Sequence, residues 1–383
     1  MIKYAIKELN EGTTFTDVVY LDNQFILLTS EMCISQRMKQ SLRDWGFTEV
    51  LSDGEPIVEV QPDEKVSNQL ANIASQSPSS DADKIAYAEQ FYMTFKDYME
   101  SVFKKVGEEN TLDYQELTNH VRSACAVIRE DRRFLLRSQK NPPIETEKSY
   151  MSSHAVHSMI ISIIIGLRLK LSEEKLIELG VSALLHEIGM LKLPQESKGY
   201  YAKRALTKDE KKAIISHPVL SYSLLKSFNA PLVVCLAGLE HHERENGRGY
   251  PQKLTGDRIS LYAKIIAVAC SYHALTANRP HKEAENGYMG MLILLKNEEK
   301  QYNETIIKAL LYSLSVYPIG LLVLLSNGKK AQVIDVNPEN PFYPIVQVFG
   351  VFTVTGENIV IETSKKDIYI VRPLTKSEIG RTD

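Results

Sequence analysis

The sequence predicts a mainly α-helical protein with a small α+β module at its N-terminal end and a small β extension at its C-terminal end. Two observations predict this fold class. Residues 146–312 have the apolar periodicity of helices and clear helix-start signals. Short β-prone runs separated by turn residues occupy both ends of the chain.

The composition sets the size and excludes some partners. With 383 residues, the chain is longer than one typical domain, so two or three units are expected. A formal net charge of −3 and a pI near 6.3 give no global basic surface, which argues against binding to long nucleic acid or to an anionic membrane. A small phosphorylated ligand remains compatible through local cations.

The sequence also indicates a compartment. The start, MIKYAIKELNEG, has no basic run followed by an apolar stretch, and no later stretch reaches the ~18 uninterrupted apolar residues of a spanning helix. Without a secretory signal, widely scattered cysteines argue against a disulfide framework. We therefore expect a soluble, cytoplasmic protein with reduced thiols at Cys33, Cys125, Cys235 and Cys270.

The N-terminal module is predicted over residues 1–60. Its strand, turn and helix signals lie at 17–20, Asp22-Asn23, 25–28, 36–45 and 49–51. The polar composition of residues 61–84, including SQSPSSDAD, predicts a flexible linker.

Residues 85–145 are predicted to form a helical connector with aromatic and apolar side chains three or four positions apart on one face. This face fits a stalk, a dimer seam or simple packing, and packing is the preferred interpretation. The face comprises Phe91, Tyr92, Phe95, Tyr98 and Met99.

The helical domain of residues 146–312 contains two helix-start signals. Ser172 precedes two glutamates, and Thr207 with Glu210 forms a capping box that satisfies free backbone donors. From residue 313 to 383, strand-like runs and an Asn-Gly turn in LLVLLSNGKKAQVIDV predict the β extension.

Five histidines within the helical domain suggest a metal site. A lone histidine in a core is usually a hydrogen-bonded core residue, but five on separate helical segments reverse that expectation. The segment VSALLHEIGML is apolar almost all round, so its His-Glu pair is expected in a low dielectric, where a metal ion would satisfy both groups. The five are His154, His186, His217, His241 and His242.

The segment HHERENGRGYP follows directly from the last two histidines. Its glycines permit sharp turns and its proline stiffens the exit, so the loop is able to hold Tyr250 over a site. Taken alone, it is equally typical of an ordinary helix-ending loop.

These motifs together resemble the HD-GYP family, whose members hydrolyse cyclic di-GMP. His154, the His186-Glu187 doublet, His217-Pro218, HHERENGRGYP and ALTANRP occur in the family's order over about 130 residues. The resemblance implies an HD-type helical bundle that holds two, sometimes three, metal ions at the floor of a cleft. It also implies metals that bind a phosphate of cyclic di-GMP and lower the pKa of bound water from about 15.7 towards ~7.

The resemblance also implies residue roles. His186 and Glu187 are the expected catalytic pair, and Tyr250, Arg279 and Lys282 the expected substrate-binding residues. The expected cofactors are two divalent ions, Fe, Mn or Zn. Their expected ligands are His154, His186, Glu187, His217, His241, His242 and Cys270.

Two departures from the family concern the metal ligands. Glu187 replaces the usual Asp but keeps the charge and can still bridge two ions. Cys270 replaces the Asp of the late helix; a thiolate is softer than a carboxylate and disfavours Mg and Mn. An equally weighted alternative is that Cys270 is a small buried apolar residue.

Further departures surround these ligands. Met190 replaces a lysine, and Lys192 lies nearby. His273 replaces another Asp and is either an extra ligand or a capping or packing residue; His157 is expected to pack or to support the ligands. Tyr150 replaces the glutamate of three-metal members, so two metals are preferred.

Three functions compete at this point. The first is a cyclic di-GMP phosphodiesterase in bacterial signalling that produces pGpG and further GMP. The second is a catalytically impaired receptor for cyclic di-GMP, favoured by Cys270 and Met190. The third is a scaffold whose GYP-like loop contacts other signalling proteins. A homodimer is compatible with all three.

Overall fold

The chain divides into two compact units, residues 1–65 and 66–383. The computed structural model describes residues 1–9, 13–22, 26–29, 34, 36–57, 80–138, 147–193, 207–277, 284–353, 356 and 358–379. Each unit has its own apolar core.

The first unit is the predicted α+β module. Four strands pair antiparallel in the order β1-β5-β3-β4, and β2 pairs with β6. Apolar side chains from the strands and from α1, such as Val19, Leu28, Leu42 and Val50, form its core. The elements are β1 (Ile2–Ala5), β2 (Thr14–Phe15), β3 (Val19–Tyr20), β4 (Ile26–Leu28), α1 (Gln36–Asp44), β5 (Glu49–Ser52) and β6 (Pro56–Ile57).

The second unit is mostly helical, which confirms the predicted fold class. Its helices are α2 (Asp81–Glu108), α3 (Tyr114–Ser138), α4 (Glu147–Arg168), α5 (Glu173–Leu185), α6 (Lys208–Ile215), α7 (His217–Ser227), α8 (Leu232–Glu240), α9 (Leu261–Thr276), α10 (Gly287–Lys296) and α11 (Glu304–Leu314). Short 3-10 helices cover Ile188–Lys192, Gly256–Arg258 and Glu298–Lys300.

Helix α4 is the centre of this unit and packs against α2, α5, α9 and α11. In the part of the chain that the structure describes, Tyr150–Arg168 is the one segment long and apolar enough to cross a membrane, yet 89% of it is buried inside the fold. A helix that is apolar all round fits such a core position, because every face has an apolar neighbour.

The helical connector packs into the same core. Helix α2 begins at Asp81, so residues 81–84 belong to it rather than to the predicted linker; residues 61–79 lie outside the described part. Phe91, Phe95 and Tyr98 on its predicted apolar face are almost fully buried.

Helix starts follow their sequence signals. The capping box of Thr207 and Glu210 is formed at the start of α6. Ser172 occupies the N-cap position of α5 without a side-chain hydrogen bond to the backbone there. Asn303 caps α11, because its side chain accepts hydrogen bonds from the backbone amides of Thr305 and Ile306.

The C-terminal extension is a five-stranded antiparallel sheet in the order β10-β9-β8-β7-β11. The predicted Asn-Gly turn joins β7 to β8, with Gly328 at a φ of +78°. The strands and a terminal helix are β7 (Leu322–Leu325), β8 (Lys330–Asp335), β9 (Ile345–Phe352), β10 (Asn358–Glu362), β11 (Ile370–Pro373) and α12 (Lys376–Ile379).

Candidate metal centre

The His186-Glu187 doublet lies where α5 ends and the 3-10 helix 188–192 begins. A Cβ on Gly189 would lie 2.2 Å from the carbonyl oxygen of His217, so only glycine allows this close approach to the start of α7. The Ser221 hydroxyl donates to the His186 carbonyl oxygen at 2.9 Å and accepts from the Gly189 amide at 2.9 Å. The doublet is thereby tied to α7.

Four predicted ligands form a first group, named here the three-histidine set. One donor atom from each of them lies within 4.8 Å of the others. Two of its rings approach directly, with the Nε2 atoms of His217 and His241 3.1 Å apart. The set comprises Glu187, His217, His241 and His242.

Three imidazoles of the site are oriented by backbone carbonyls three residues earlier. The Nδ1 atoms of His186, His217 and His241 lie 2.7, 2.6 and 2.9 Å from the carbonyl oxygens of Ala183, Ile214 and Gly238. These carbonyls belong to the last turns of α5, α6 and α8, where helix carbonyls lack intrahelical partners. Because Nδ1–H donates there, Nε2 is left as the lone-pair atom that a metal needs.

A second group, named here the thiol set, comprises His154, His186 and Cys270. One donor atom from each lies within 4.8 Å of the others, and all three side chains are buried. The Nε2 atom of His186 is fully buried and has no hydrogen-bond partner among the described residues. An unpaired buried nitrogen is costly, and a cation would satisfy it.

Both sets fit a metal ion in donor type and spacing. Nitrogen and sulfur ligands lie about 2.0–2.3 Å from zinc, so donors around one ion are at most ~4.6 Å apart. The two sets also adjoin, because the Glu187 carboxylate lies 3.8 Å from His154 Nε2 and the rings of His186 and His241 are 4.8 Å apart.

Burial lowers the pKa of four of the site's imidazoles and so favours their neutral form. Burial lowers the pKa of both His186 and His217 from 6.5 to about 4. Burial, reinforced by neighbouring imidazoles, lowers the pKa of His241 and His242 well below 6.5. Neutral imidazole is the form that binds metals, so the pocket prepares these donors before an ion arrives.

A buried polar chain lies behind His154. Its Nδ1 atom is 2.8 Å from Nδ1 of His273, and the His273 ring stacks on His157 at 4.3 Å. The His157 Nδ1 atom bonds to the Ser153 carbonyl oxygen at 2.9 Å, and Tyr92 from α2 lies 2.7 Å from the Ser153 hydroxyl. Sequence reasoning treated His273 as a ligand or packing residue and missed its pairing with His154.

Glu243 is a second residue whose role the sequence interpretation missed. Its buried carboxylate accepts hydrogen bonds from the amides of Gln252 at 2.6 Å and Leu254 at 2.9 Å, which fastens the loop after the histidine pair. The loop places the Tyr250 ring over His242, stacked at 4.6 Å with an interplanar angle of 19°. The signal was present in HHE, where the carboxylate directly follows two donors.

The remaining predicted positions have different outcomes. Arg279 and Lys282 lie outside the described residues. Met190 is buried, and Lys192 is directed to Asn110, whose side-chain oxygen accepts its hydrogen bond at 2.9 Å. Tyr150 is buried with its ring nearly parallel to that of His154, 5.8 Å away.

Cysteine usage agrees with reduced thiols in the described part of the chain. Cys125, Cys235 and Cys270 are buried there and form no disulfide with each other, whereas Cys33 lies outside it.

Comparison with known proteins identifies the domain around this site. Residues 138–306 match the family model described as HD domain. The cyclic di-GMP phosphodiesterase PdeB of Borreliella burgdorferi is 31% identical over 198 residues, which is 52% of each chain. The cyclic di-GMP phosphodiesterase PA4108 of Pseudomonas aeruginosa is 26% identical over 341 residues, covering 86% of this chain and 80% of that protein.

Two further comparisons agree. The cyclic di-GMP phosphodiesterase response regulator RpfG of Xanthomonas campestris is 36% identical over 146 residues, or 38% of each chain. The matched regions thus span between about two fifths and four fifths of these relatives. The solved HDG"Y"P protein Bd1817 of Bdellovibrio bacteriovorus has the same fold, with a TM-score of 0.53 at 15% identity over 81% of this chain and 97% of that one. Residues 138–306 thus match an HD domain, and the histidine pattern and these matches make the chain similar to HD-GYP proteins.

Proposed function

We propose that this protein is a metal-dependent phosphodiesterase that hydrolyses cyclic di-GMP to linear pGpG, with GMP as the product of a further cleavage. The observation that carries the proposal is the meeting of two buried donor sets at Glu187, whose carboxylate belongs to the three-histidine set and lies 3.8 Å from His154 of the thiol set. The relatives named as cyclic di-GMP phosphodiesterases support the substrate.

Two divalent ions, Fe, Mn or Zn, are proposed as cofactors. The three-histidine set would hold one and the thiol set the other, with Glu187 shared between them. Bound ions supply Lewis acidity and neutralise charge on the phosphoryl oxygens. Imidazole and thiolate donors favour Zn and Fe over Mg.

The protein's own groups complement an anionic substrate. Burial favours the neutral imidazole at four of the histidines, and the Glu187 carboxylate and a Cys270 thiolate are the negative charges among the donors. Two divalent ions would carry four positive charges, which leaves an excess of two. This excess matches the two phosphodiester charges of cyclic di-GMP.

The substrate-facing residues are proposed on the same basis. Tyr250 stands over His242 at the edge of the site, where its ring is available to a base or sugar. Arg279 and Lys282 are proposed as phosphate contacts because they fall where the HD-GYP family, which the sequence resembles, has phosphate-contacting cations. We place the protein in the bacterial cytoplasm, where this second messenger acts, and propose partner proteins at the GYP-like loop and a homodimer.

The experiment combines metal analysis with product analysis. Protein purified without added metal is assayed for metal content and incubated with cyclic di-GMP and Mn or Fe. Glu187→Gln keeps the size of the side chain but removes the shared charge, and we expect about a thousandfold loss of turnover, because metal electrostatics contribute several kcal/mol. Products are separated by chromatography.

The matched control is Glu178→Gln on α5, the helix that precedes the doublet; its carboxylate accepts a hydrogen bond from Tyr262 at 2.9 Å and is not part of either donor set. It is expected to retain wild-type metal content and turnover. Tight binding of cyclic di-GMP by wild-type protein without any product would contradict the enzyme and support a receptor. Neither binding nor product would support a scaffold.

A further inference from the structure

His154 differs from the other histidines of the site in how its ring is held. It lies within α4 and pairs with a side chain, whereas three other rings use backbone carbonyls at helix ends. Its Nδ1 atom faces Nδ1 of His273 on α9 at 2.8 Å. Two ring nitrogens at this distance need one proton between them, so one ring donates and the other accepts.

The opposite side of the His154 ring decides which ring donates. Its Nε2 atom lies 3.8 Å from the Glu187 carboxylate, and His154 is a member of the thiol set, where a cation would lie. A proton on Nε2 would remove the lone pair that a cation needs. A proton on Nδ1 has an acceptor at hydrogen-bond distance, namely His273.

We propose that His273 is a positioning residue that accepts the Nδ1 proton of His154 and so directs the Nε2 lone pair towards Glu187. The proposal rests on the metal centre of the proposed function. In most metal sites a carboxylate or a carbonyl takes the second N–H of a ligating imidazole; here another imidazole does so.

The surroundings hold His273 in this role. Its ring stacks on His157 with an interplanar angle of 25°. His157 is itself fixed, because its Nδ1–H donates to the Ser153 carbonyl oxygen. The position is 5% exposed, so water does not readily replace the acceptor. A side chain without an acceptor at residue 273 would remove the hydrogen bond seen between the two Nδ1 atoms.

The test compares two variants of the full chain. His273→Asn places an amide oxygen near the position of Nδ1, whereas His273→Leu fills a similar volume without any acceptor. Cobalt is titrated into metal-free protein and followed by absorbance, which reports ligands of both sets. We expect His273→Leu to weaken binding of one of two ions about 10–100-fold, and His273→Asn to stay within about threefold of wild type.

A second measurement addresses the proton directly. Nitrogen-15 NMR of histidine-labelled, metal-free wild-type protein is expected to show His154 with its proton on Nδ1, its signals being assigned by loss in His154→Gln. A proton on Nε2 overturns the proposal, as does unchanged cobalt affinity in His273→Leu. If His273→Leu does not fold, His273→Asn and the NMR signal still decide.

These measurements distinguish failure of the proposed metal-dependent function from failure of the positioning role of His273. Wild-type protein that takes up no metal contradicts the proposed function, while the tautomer of His154 still tests the role of His273. If wild-type protein binds two ions and His273→Leu binds cobalt with unchanged affinity, only the positioning role is contradicted.

Discussion

The two donor sets are built on different supports. In the three-histidine set, the His217 and His241 rings are fixed by carbonyls at the ends of short helices. In the thiol set, His186 and Cys270 also contact backbone carbonyls, those of Ala183 and Ala267, but His154 on the buried helix α4 faces another side chain. Backbone support survives a change of neighbouring side chains, whereas side-chain support does not.

The departures from the family pattern follow this difference. Cys270, His273 and Tyr150 all surround His154, whereas the three-histidine set departs only at Glu187. A thiolate in place of a carboxylate also makes the two sets unequal in metal preference. We therefore expect the two ions to differ in affinity, and the following predictions use that difference.

The largest effect is expected for His241→Ala, which removes a donor from the set that the backbone fixes. Loss of the three-histidine ion should lower turnover about a thousandfold, since metal electrostatics contribute several kcal/mol. Metal content should fall from two ions to one, as measured by mass spectrometry. The matched control is His120→Ala, because that ring lies 3.7 Å from Glu116 on α3 and outside both sets. A variant that keeps both ions would contradict the ligand role of His241.

A smaller effect is expected for Gly189→Ala, which acts on the backbone support. The new Cβ would lie 2.2 Å from the His217 carbonyl oxygen and 2.4 Å from the Ser221 amide nitrogen. Because backbone atoms cannot rotate away, the free energy of unfolding should fall by about 1–3 kcal/mol. Chemical denaturation measures it.

Gly107→Ala is the control for this prediction, because a Cβ there meets no atom within 4 Å. It should leave the protein as stable as wild type or stabilise the helix by up to ~1 kcal/mol. Equal stability of the two alanine variants would show that the contact between the doublet and α7 is not tight.

The smallest effect is expected for Cys270→Asp, which gives the thiol set a carboxylate donor like the one that Glu187 supplies to the three-histidine set. A carboxylate suits Mn better than a thiolate does, so turnover with Mn should rise about threefold to tenfold relative to turnover with Zn. The comparison is Cys125→Ser, because Cys125 is buried away from the histidines and burial raises the pKa of its thiol to about 12. An unchanged metal preference would place the Cys270 sulfur outside the coordination shell.

Local patterns in the sequence were sufficient for the elements and for most of the donor groups. The Thr207 capping box and the Asn-Gly turn at Gly328 depend on neighbours in sequence, and both occur as predicted. Strand β11 was not predicted, because its short run Ile370–Pro373 has no distinctive alternation and pairs with β7 far away in sequence.

The contacts that orient the donors were not predictable in this way. The pairing of His154 with His273 joins residues 119 positions apart, and it depends on how α4 and α9 cross. The anchoring of the loop by Glu243 depends on a chain reversal that its glycines permit but do not determine. Histidine spacing and the family resemblance therefore predicted the candidate donors, whereas their hydrogen-bond partners depend on tertiary packing.

The Glu243 anchor has a mechanical consequence for the site. The loop turns back onto the segment it leaves, so closely that a Cβ on Gly249 would lie 2.4 Å from Cα of Glu243. A force on the phenol of Tyr250 is thus transmitted to the imidazole of His242 beneath it. Binding at Tyr250 is therefore expected to be coupled to metal binding at His242. By thermodynamic reciprocity, a ligand that binds Tyr250 more tightly when the metal ions are bound must raise the affinity for those ions by the same factor.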